Sequence, residues 1–321
     1  MFAISVWDEN EQLGILARDR AGKKPLYYTS LDHKLYYSSE IKGLLQIPGF
    51  VRKINQEALH HYLSYKNVPC PLSIFEGIFQ LPPAHRLVWC KGKIDSIQPY
   101  WQLDWSPSNL EASEDELAQV LVQKLTKALQ RRLIADVPIG FFLSGGLDSS
   151  LSTALAASSS GQRVKTFTLR YSKESSTPGK ELDLRCAREI AKKYDTDHHE
   201  EELDFSRFQE ELPHILSHFD EPFSGVVSTY FLSRLIRKHL KVAISGDGAD
   251  ELYGSYLSHR LAIPVAARRA WLANGRSGPA PALGHFESQP DFVDRLAALD
   301  EVSARYSLLV FNDQEKSALY N

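Results

Sequence analysis

The 321 residues are 43% hydrophobic, 24% charged and 11% aromatic, with a formal net charge of −3. That is the balance of an ordinary globular chain long enough for two domains, without the basic excess of a dedicated nucleic-acid or membrane-surface protein. No apolar run nears the roughly 20 residues that cross a bilayer, and residues 1–8 lack the basic-then-apolar order of a signal peptide, which makes the cytoplasm the expected location.

The first hundred residues predict antiparallel β-structure. Residues 3–7 and 13–17 are short apolar runs around the turn Asp8-Glu9-Asn10-Glu11, and Leu26-Tyr27-Tyr28 and Lys34-Leu35-Tyr36-Tyr37 flank a second turn at 30–33. Such pairs are hairpin signals. Short helices are expected at 40–45 and 56–65, and Pro82-Pro83 and Pro99 mark loops. Cys70, Cys90 and Cys186 form no C-x-x-C pair, which predicts buried or half-buried thiols in a reducing compartment.

The polar stretch around Asp104, Ser106 and Pro107 predicts a linker over 106–112, between domains at 1–105 and 113–321. Ser113-x-x-Glu116 then announces a capped amphipathic helix to about residue 133. Beyond it strands and helices alternate: a strand at 139–143, a helix from 149, a strand at 165–169, a helix at 181–194, a strand at 198–202, a helix at 229–239 and a strand at 241–245. That order predicts a doubly wound parallel sheet covered by helices on both sides, an α/β fold. Residues 275–281 are rich in Gly and Pro and read as a surface loop, and the last forty residues read as helical, with no closing strand.

Two strand-end loops carry the chemistry. The strand at 139–143 runs into Ser144-Gly145-Gly146-Leu147-Asp148-Ser149-Ser150 and then a helix. Two glycines let main-chain amides converge on an anion, and the helix adds the positive end of its dipole. The hydroxyls of Ser144, Ser149 and Ser150 can donate to phosphate oxygens. A carboxylate in such a loop, Asp148, implies a divalent cation bridging it to the phosphates. The Lys of the common phosphate loop is missing, and the spacing suits a pyrophosphate leaving group. The second loop, Ser245-Gly246-Asp247-Gly248-Ala249-Asp250-Glu251, follows another apolar strand. Asp247 and Asp250 can complete a magnesium site with Asp148 or orient a substrate group.

With these loops, Lys165-Thr166-Phe167-Thr168 and, upstream, Arg18-Asp19-Arg20-Ala21-Gly22-Lys23-Lys24-Pro25-Leu26-Tyr27-Tyr28, Ser38-Ser39-Glu40-Ile41-Lys42 and Leu81-Pro82-Pro83-Ala84-His85, the chain resembles the glutamine-dependent asparagine synthetases over nearly its whole length. The resemblance implies part of an N-terminal-nucleophile glutaminase domain followed by an ATP-pyrophosphatase synthetase domain. It implies ATP and Mg2+ as cofactors, and aspartate with glutamine or ammonia as substrates. ATP and aspartate would form a β-aspartyl-adenylate, which ammonia then attacks. Phe142 and Leu169 would line the adenine pocket, Ser245 and Gly246 would touch the nucleotide, and Asp148 and Asp250 would hold magnesium. Asp247 stands where many members carry Glu, tied to the chemistry at the activated intermediate. A homodimer is an assembly the resemblance allows, and neither nucleic acid nor membrane is an expected partner.

The family's terminal cysteine nucleophile, with its Arg and Asn-Gly-Glu segment, precedes the matched region, and its downstream catalytic Lys follows it. The expectation is therefore a partial chain that keeps mainly Mg-ATP binding and does not hydrolyse glutamine. Lys241 and Arg260 are the local cations to consider if it turns ATP over. Two other readings stay open. One is another ATP-pyrophosphatase ligase, such as a β-lactam synthetase, an argininosuccinate-, GMP- or NAD-synthetase-like enzyme or a tRNA-modifying enzyme. The other is a non-catalytic nucleotide-binding protein.

Overall fold

The computed structural model describes residues 1–104, 106, 111–172, 176–222 and 227–320. The chain forms two compact units, one made of Met1–Ser108, Ser217–Gly225 and Leu299–Asn321, the other of Asn109–Leu216 and Val226–Ala298. Much of the expected linker, residues 107–110, lies outside the described residues.

In the first unit the predicted hairpins form as β1 (Ala3–Asp8) with β2 (Leu13–Arg18), and β3 (Tyr27–Leu31) with β4 (Lys34–Ser38). Helices α1 (Ile41–Leu44) and α2 (Gln56–Tyr65) follow. Three further strands follow, β5 (Phe79–Gln80), β6 (His85–Cys90) and β7 (Lys93–Pro99); Pro82 and Pro83 lie in a loop as expected, whereas Pro99 is the last residue of a strand. The prolines sit where a strand tolerates them, at 82 and 83 between β5 and β6 and at the last position of β7. Two antiparallel sheets result, in the orders β1-β2-β6-β7 and β4-β3-β5. Leu16 on β2 pairs with Leu87 on β6, and both join Tyr28 of β3, Leu26, Leu81 and Trp89 in one buried cluster. Cys90 is half-buried but Cys70 is exposed, unlike the expected packed thiol, because it lies in the turn-rich segment between α2 and β5.

The conspicuous Arg18-to-Pro25 run is a structural knot. Asp19, buried, accepts main-chain amides from Phe2, Ala21, Lys23 and Lys24 at 3.0–3.2 Å. Burial alone would raise its pKa, but these four donors hold it below the usual carboxylate value. The Arg18 guanidinium donates to the carbonyls of Gly22, Lys24 and Leu81 at 2.7–2.8 Å. The segment 217–225 returns to this unit, where Asp220 accepts the amide of Ile41 at 2.6 Å and Glu221 that of Ile74 at 2.8 Å.

In the second unit Ser113 and Glu116 form the predicted capping box at the start of α3 (Glu114–Leu133). Then come β8 (Ile139–Phe142), α4 (Leu147–Ser159), β9 (Lys165–Tyr171), α5 (Pro178–Lys193) and β10 (Asp197–Leu203). After these follow α6 (Phe205–Ser217), α7 (Ser228–Arg237), β11 (Val242–Ile244), α8 (Ala249–Tyr253), α9 (Leu257–Ala273) and α10 (Pro290–Ala298). The strands are all parallel, in the order β10-β9-β8-β11.

Neighbouring residues of β8 point to opposite faces, as the period of a strand requires. Phe141 packs with Leu129 of α3 and Ala156 of α4. Phe142 packs with Phe167, Leu235 and Ile236 on the side of α7. Helices therefore cover both faces of the parallel sheet. The helical C-terminal region appears as α10 and two short helices, Glu301–Tyr306 and Asp313–Leu319. Among the described residues no helix is long and apolar enough to cross a membrane.

Candidate functional site

From β8 the chain steps to β9 and β10 on one side, then returns to place β11 on the other. The order reverses between β8 and β11, and such a reversal opens a crevice beyond the carboxyl ends of the two strands. Both loops singled out in the sequence leave from those ends.

The first loop is anchored before it turns. The Leu143 amide donates to the Phe167 carbonyl at 2.9 Å, and the buried Thr168 hydroxyl donates to the Leu143 carbonyl. Gly145 then adopts φ +88°, a conformation that a side chain resists. Inside the loop the Ser149 hydroxyl accepts from the Ser144 amide at 3.2 Å, donates to the Gly146 carbonyl at 3.2 Å and meets the Ser144 hydroxyl at 3.0 Å. Ser149 is thus a brace that fixes the turn. Gly146 precedes α4 with no side-chain cap, which leaves first-turn amides for an anion. The Ser150 Oγ is buried with no hydrogen-bond partner.

The second loop presses on the first. A Cβ on Gly246 would stand 3.0 Å from the Asp148 Cβ and 3.1 Å from the Ser149 nitrogen, so the main chain at Gly246 lies directly on the first turn of α4. The Ser245 hydroxyl donates to Asp247 at 2.9 Å, the Ser255 hydroxyl donates to Asp250, and the Tyr256 hydroxyl donates to Glu251 at 2.9 Å. Burial, and then the negative charge of Asp250, push the Asp148 carboxyl above its ordinary pKa.

Between the loops is a cavity of about 490 Å³. From the first loop Ser144, Gly146, Asp148 and Ser149 line it, while Gly145 and Ser150 lie outside its lining. Ser245, Gly246, Asp247 and Asp250 line it from the second loop. Phe142 and Leu169 contribute from β8 and β9. Sequence reasoning missed Lys180, Asp183 and Tyr256, which also line it. A usable signal was present: the helix after β9 must start beside the crevice, and Thr177-Pro178 is a helix start.

Among the described residues no group of three or more His, Cys, Asp or Glu side chains could hold a metal by itself. Magnesium, however, is commonly bound by one or two carboxylates together with substrate phosphates. Asp148 and Asp250, close enough for one charge to raise the other's pKa, fit that pattern.

The parallel sheet, the crevice and two converging acidic and glycine-bearing loops define an α/β protein with a cavity at its strand reversal. Comparison with known proteins narrows the class. The family model for asparagine synthase matches residues 121–318, and that for a glutamine amidotransferase domain matches residues 1–101. The chain belongs to the asparagine synthase family.

It is 30% identical over 262 residues to "Asparagine synthetase [glutamine-hydrolyzing] 1" of Bacillus subtilis, covering 81% of this chain and 40% of that protein. It is also 30% identical over 266 residues to "Putative asparagine synthetase [glutamine-hydrolyzing] 2" of Methanocaldococcus jannaschii, covering 81% and 50%. The chain thus spans about half or less of the length of these relatives. Among solved structures, an NH3-dependent NAD synthetase from Campylobacter jejuni aligns at 12% identity with a TM-score of 0.30, over 57% of this chain and 96% of that one, a likeness too slight to bear on function.

Proposed function

We propose that the cavity between the two loops binds Mg-ATP and serves an asparagine-synthase-type ligation, in which the aspartate side-chain carboxylate is adenylated and then converted to an amide by ammonia. In this reading residues 113–321 are an ATP-pyrophosphatase synthetase domain, 106–112 a linker and 1–105 part of a glutaminase-like domain, and Mg-ATP binding is the activity expected of this chain. The family matches over 121–318 and 1–101 support it. The single observation that carries the reading is the convergence of an uncapped helix N-terminus with Asp148 and Asp250 on one cavity at the strand reversal.

Each residue has a derivable task. The amides after Gly146 hold the β- and γ-phosphates as a unit that departs as pyrophosphate. Ser144 and Ser149 keep the turn rigid, so the donors need no reorganisation as charge shifts. Phe142 and Leu169 give the adenine two apolar walls, and Ser245 and Gly246 border the nucleotide. Asp148 and Asp250 would hold magnesium, which neutralises charge on the phosphates when bound. Asp247, which accepts a hydrogen bond from the Ser245 hydroxyl, would take a proton from the attacking ammonia as the amide forms and AMP leaves.

The test is calorimetric titration of the whole chain with Mg-ATP. We expect binding by the wild type and a large loss in Asp148→Ala, above the roughly 1–3 kcal/mol of one hydrogen bond. Equal affinity in the two proteins would remove the first loop from the site.

A further inference from the structure

The charges lining the cavity are unbalanced. Among the described residues Asp148, Asp183, Asp247, Asp250 and Glu251 face it, and Lys180 is the only lysine or arginine that lines it. Neither Lys241 nor Arg260 lines it. A nucleoside triphosphate would bring several more negative charges into this acidic surround, and one magnesium whose two positive charges already face two carboxylates would offset little of that load.

Lys180 is held where a phosphate could meet it. It sits in the first turn of α5, its amide donating at 3.3 Å to the capping Thr177 hydroxyl. One turn further along, the α5 main chain touches the phosphate loop, since the carbonyl of Asp183 abuts Gly145. The Lys180 ammonium rests 3.3 Å from the Asp183 carboxylate, with side chains 54% and 44% exposed. A pair so open contributes little to stability. The ammonium can therefore leave Asp183 at small cost, on a flexible four-carbon stem.

We propose that Lys180 is the cation that grips the terminal phosphates of a nucleoside triphosphate in this cavity, and that Asp183 parks its ammonium while the cavity is empty. This rests on the nucleotide reading above and adds to it the group that selects a polyphosphate. Lys180 supplies, from the helix after β9, the charge that a phosphate loop of the common type carries within itself.

The experiment titrates the wild type, Lys180→Ala, Lys180→Arg and Asp148→Ala with Mg-ATP, and repeats the first three with magnesium pyrophosphate. Lys180→Ala should weaken Mg-ATP roughly tenfold or more, as expected for a lost hydrogen bond to a charged group. Pyrophosphate should weaken in parallel, Lys180→Arg should recover most of the affinity, and the melting temperature should stay that of the wild type. Unchanged Mg-ATP affinity in Lys180→Ala, with Asp148→Ala still impaired, overturns the role of Lys180 and leaves the nucleotide reading standing. A wild type that binds no Mg-ATP overturns both. A loss in Lys180→Ala that comes with a lowered melting temperature, and that arginine does not rescue, assigns Lys180 a structural role and overturns the proposal.

Discussion

The main-chain carbonyl of Asp183 occupies the space in which a side chain on Gly145 would begin: a Cβ there would stand 1.9 Å from that oxygen. Since the obstacle is backbone and not a flexible side-chain tip, Gly145→Ala must displace the loop or the helix behind it. The positive φ of Gly145 adds its own strain. The expected cost is about 2 kcal/mol or more, seen as a lower melting temperature together with weakened Mg-ATP binding. Wild-type values for both would show that the loop does not depend on this contact.

Asp148 should show the opposite trade. A carboxyl whose folded pKa is raised contributes stability below the unfolded value, and that contribution is lost as pH rises through the folded one. At neutral pH its charge therefore weighs against the ligand-free fold, through burial and then through Asp250. Asp148→Asn is expected to melt no lower than the wild type at pH 7 while losing magnesium-dependent nucleotide affinity. The difference in melting temperature should shrink as pH falls toward about 4. A clearly destabilised Asp148→Asn at neutral pH would contradict this.

Asp19 runs the other way. Its carboxylate receives four amides and its pKa is lowered, so its contribution is present above the ordinary value of about 4 and disappears as pH drops through the folded value. Asp19→Ala leaves buried amides without an acceptor and should cost roughly 3 kcal/mol in urea unfolding at pH 7. Asp19→Asn, which keeps one acceptor oxygen, should cost less. The penalty for either should shrink as pH falls through the folded value, and a constant penalty on acidification would exclude the charge as its source.

At the start of α3, Ser113→Ala removes one half of a reciprocal cap whose other half is Glu116. The expected loss is about 1 kcal/mol, readable in the same unfolding curves. Glu116→Ala made on top of it should add little, because each side chain serves the same helix end.

That capping box was legible because both of its partners lie within four residues, and the hairpins of β1–β4 were legible for the same reason. The parallel strands announced themselves as apolar runs spaced by helices. What went unseen depends on prolines or on distance. Pro82, Pro83 and Pro99 read as breaks, although their positions between and at the end of strands leave β5, β6 and β7 intact. α6 and α9 went unpredicted, and they contain Pro213 and Pro264, which interrupt the local helical signal. In the candidate site the two loops could be read from their glycines and acids. Lys180 left a weaker signal, the Thr177-Pro178 helix start, because it reaches the cavity only through the placement of α5 beside β8 and β9.

Asp220 and Glu221 belong in space to the first unit, where they receive the amides of Ile41 and Ile74, but in sequence they follow almost the whole parallel sheet. The N-terminal third is therefore not a detachable cassette. Expressed by itself, it would expose two amides whose carboxylate acceptors are encoded more than a hundred residues downstream. Such a piece is expected to misfold. A protease nick between residues 104 and 111 is a milder injury, since both acceptors would still be present in the same particle.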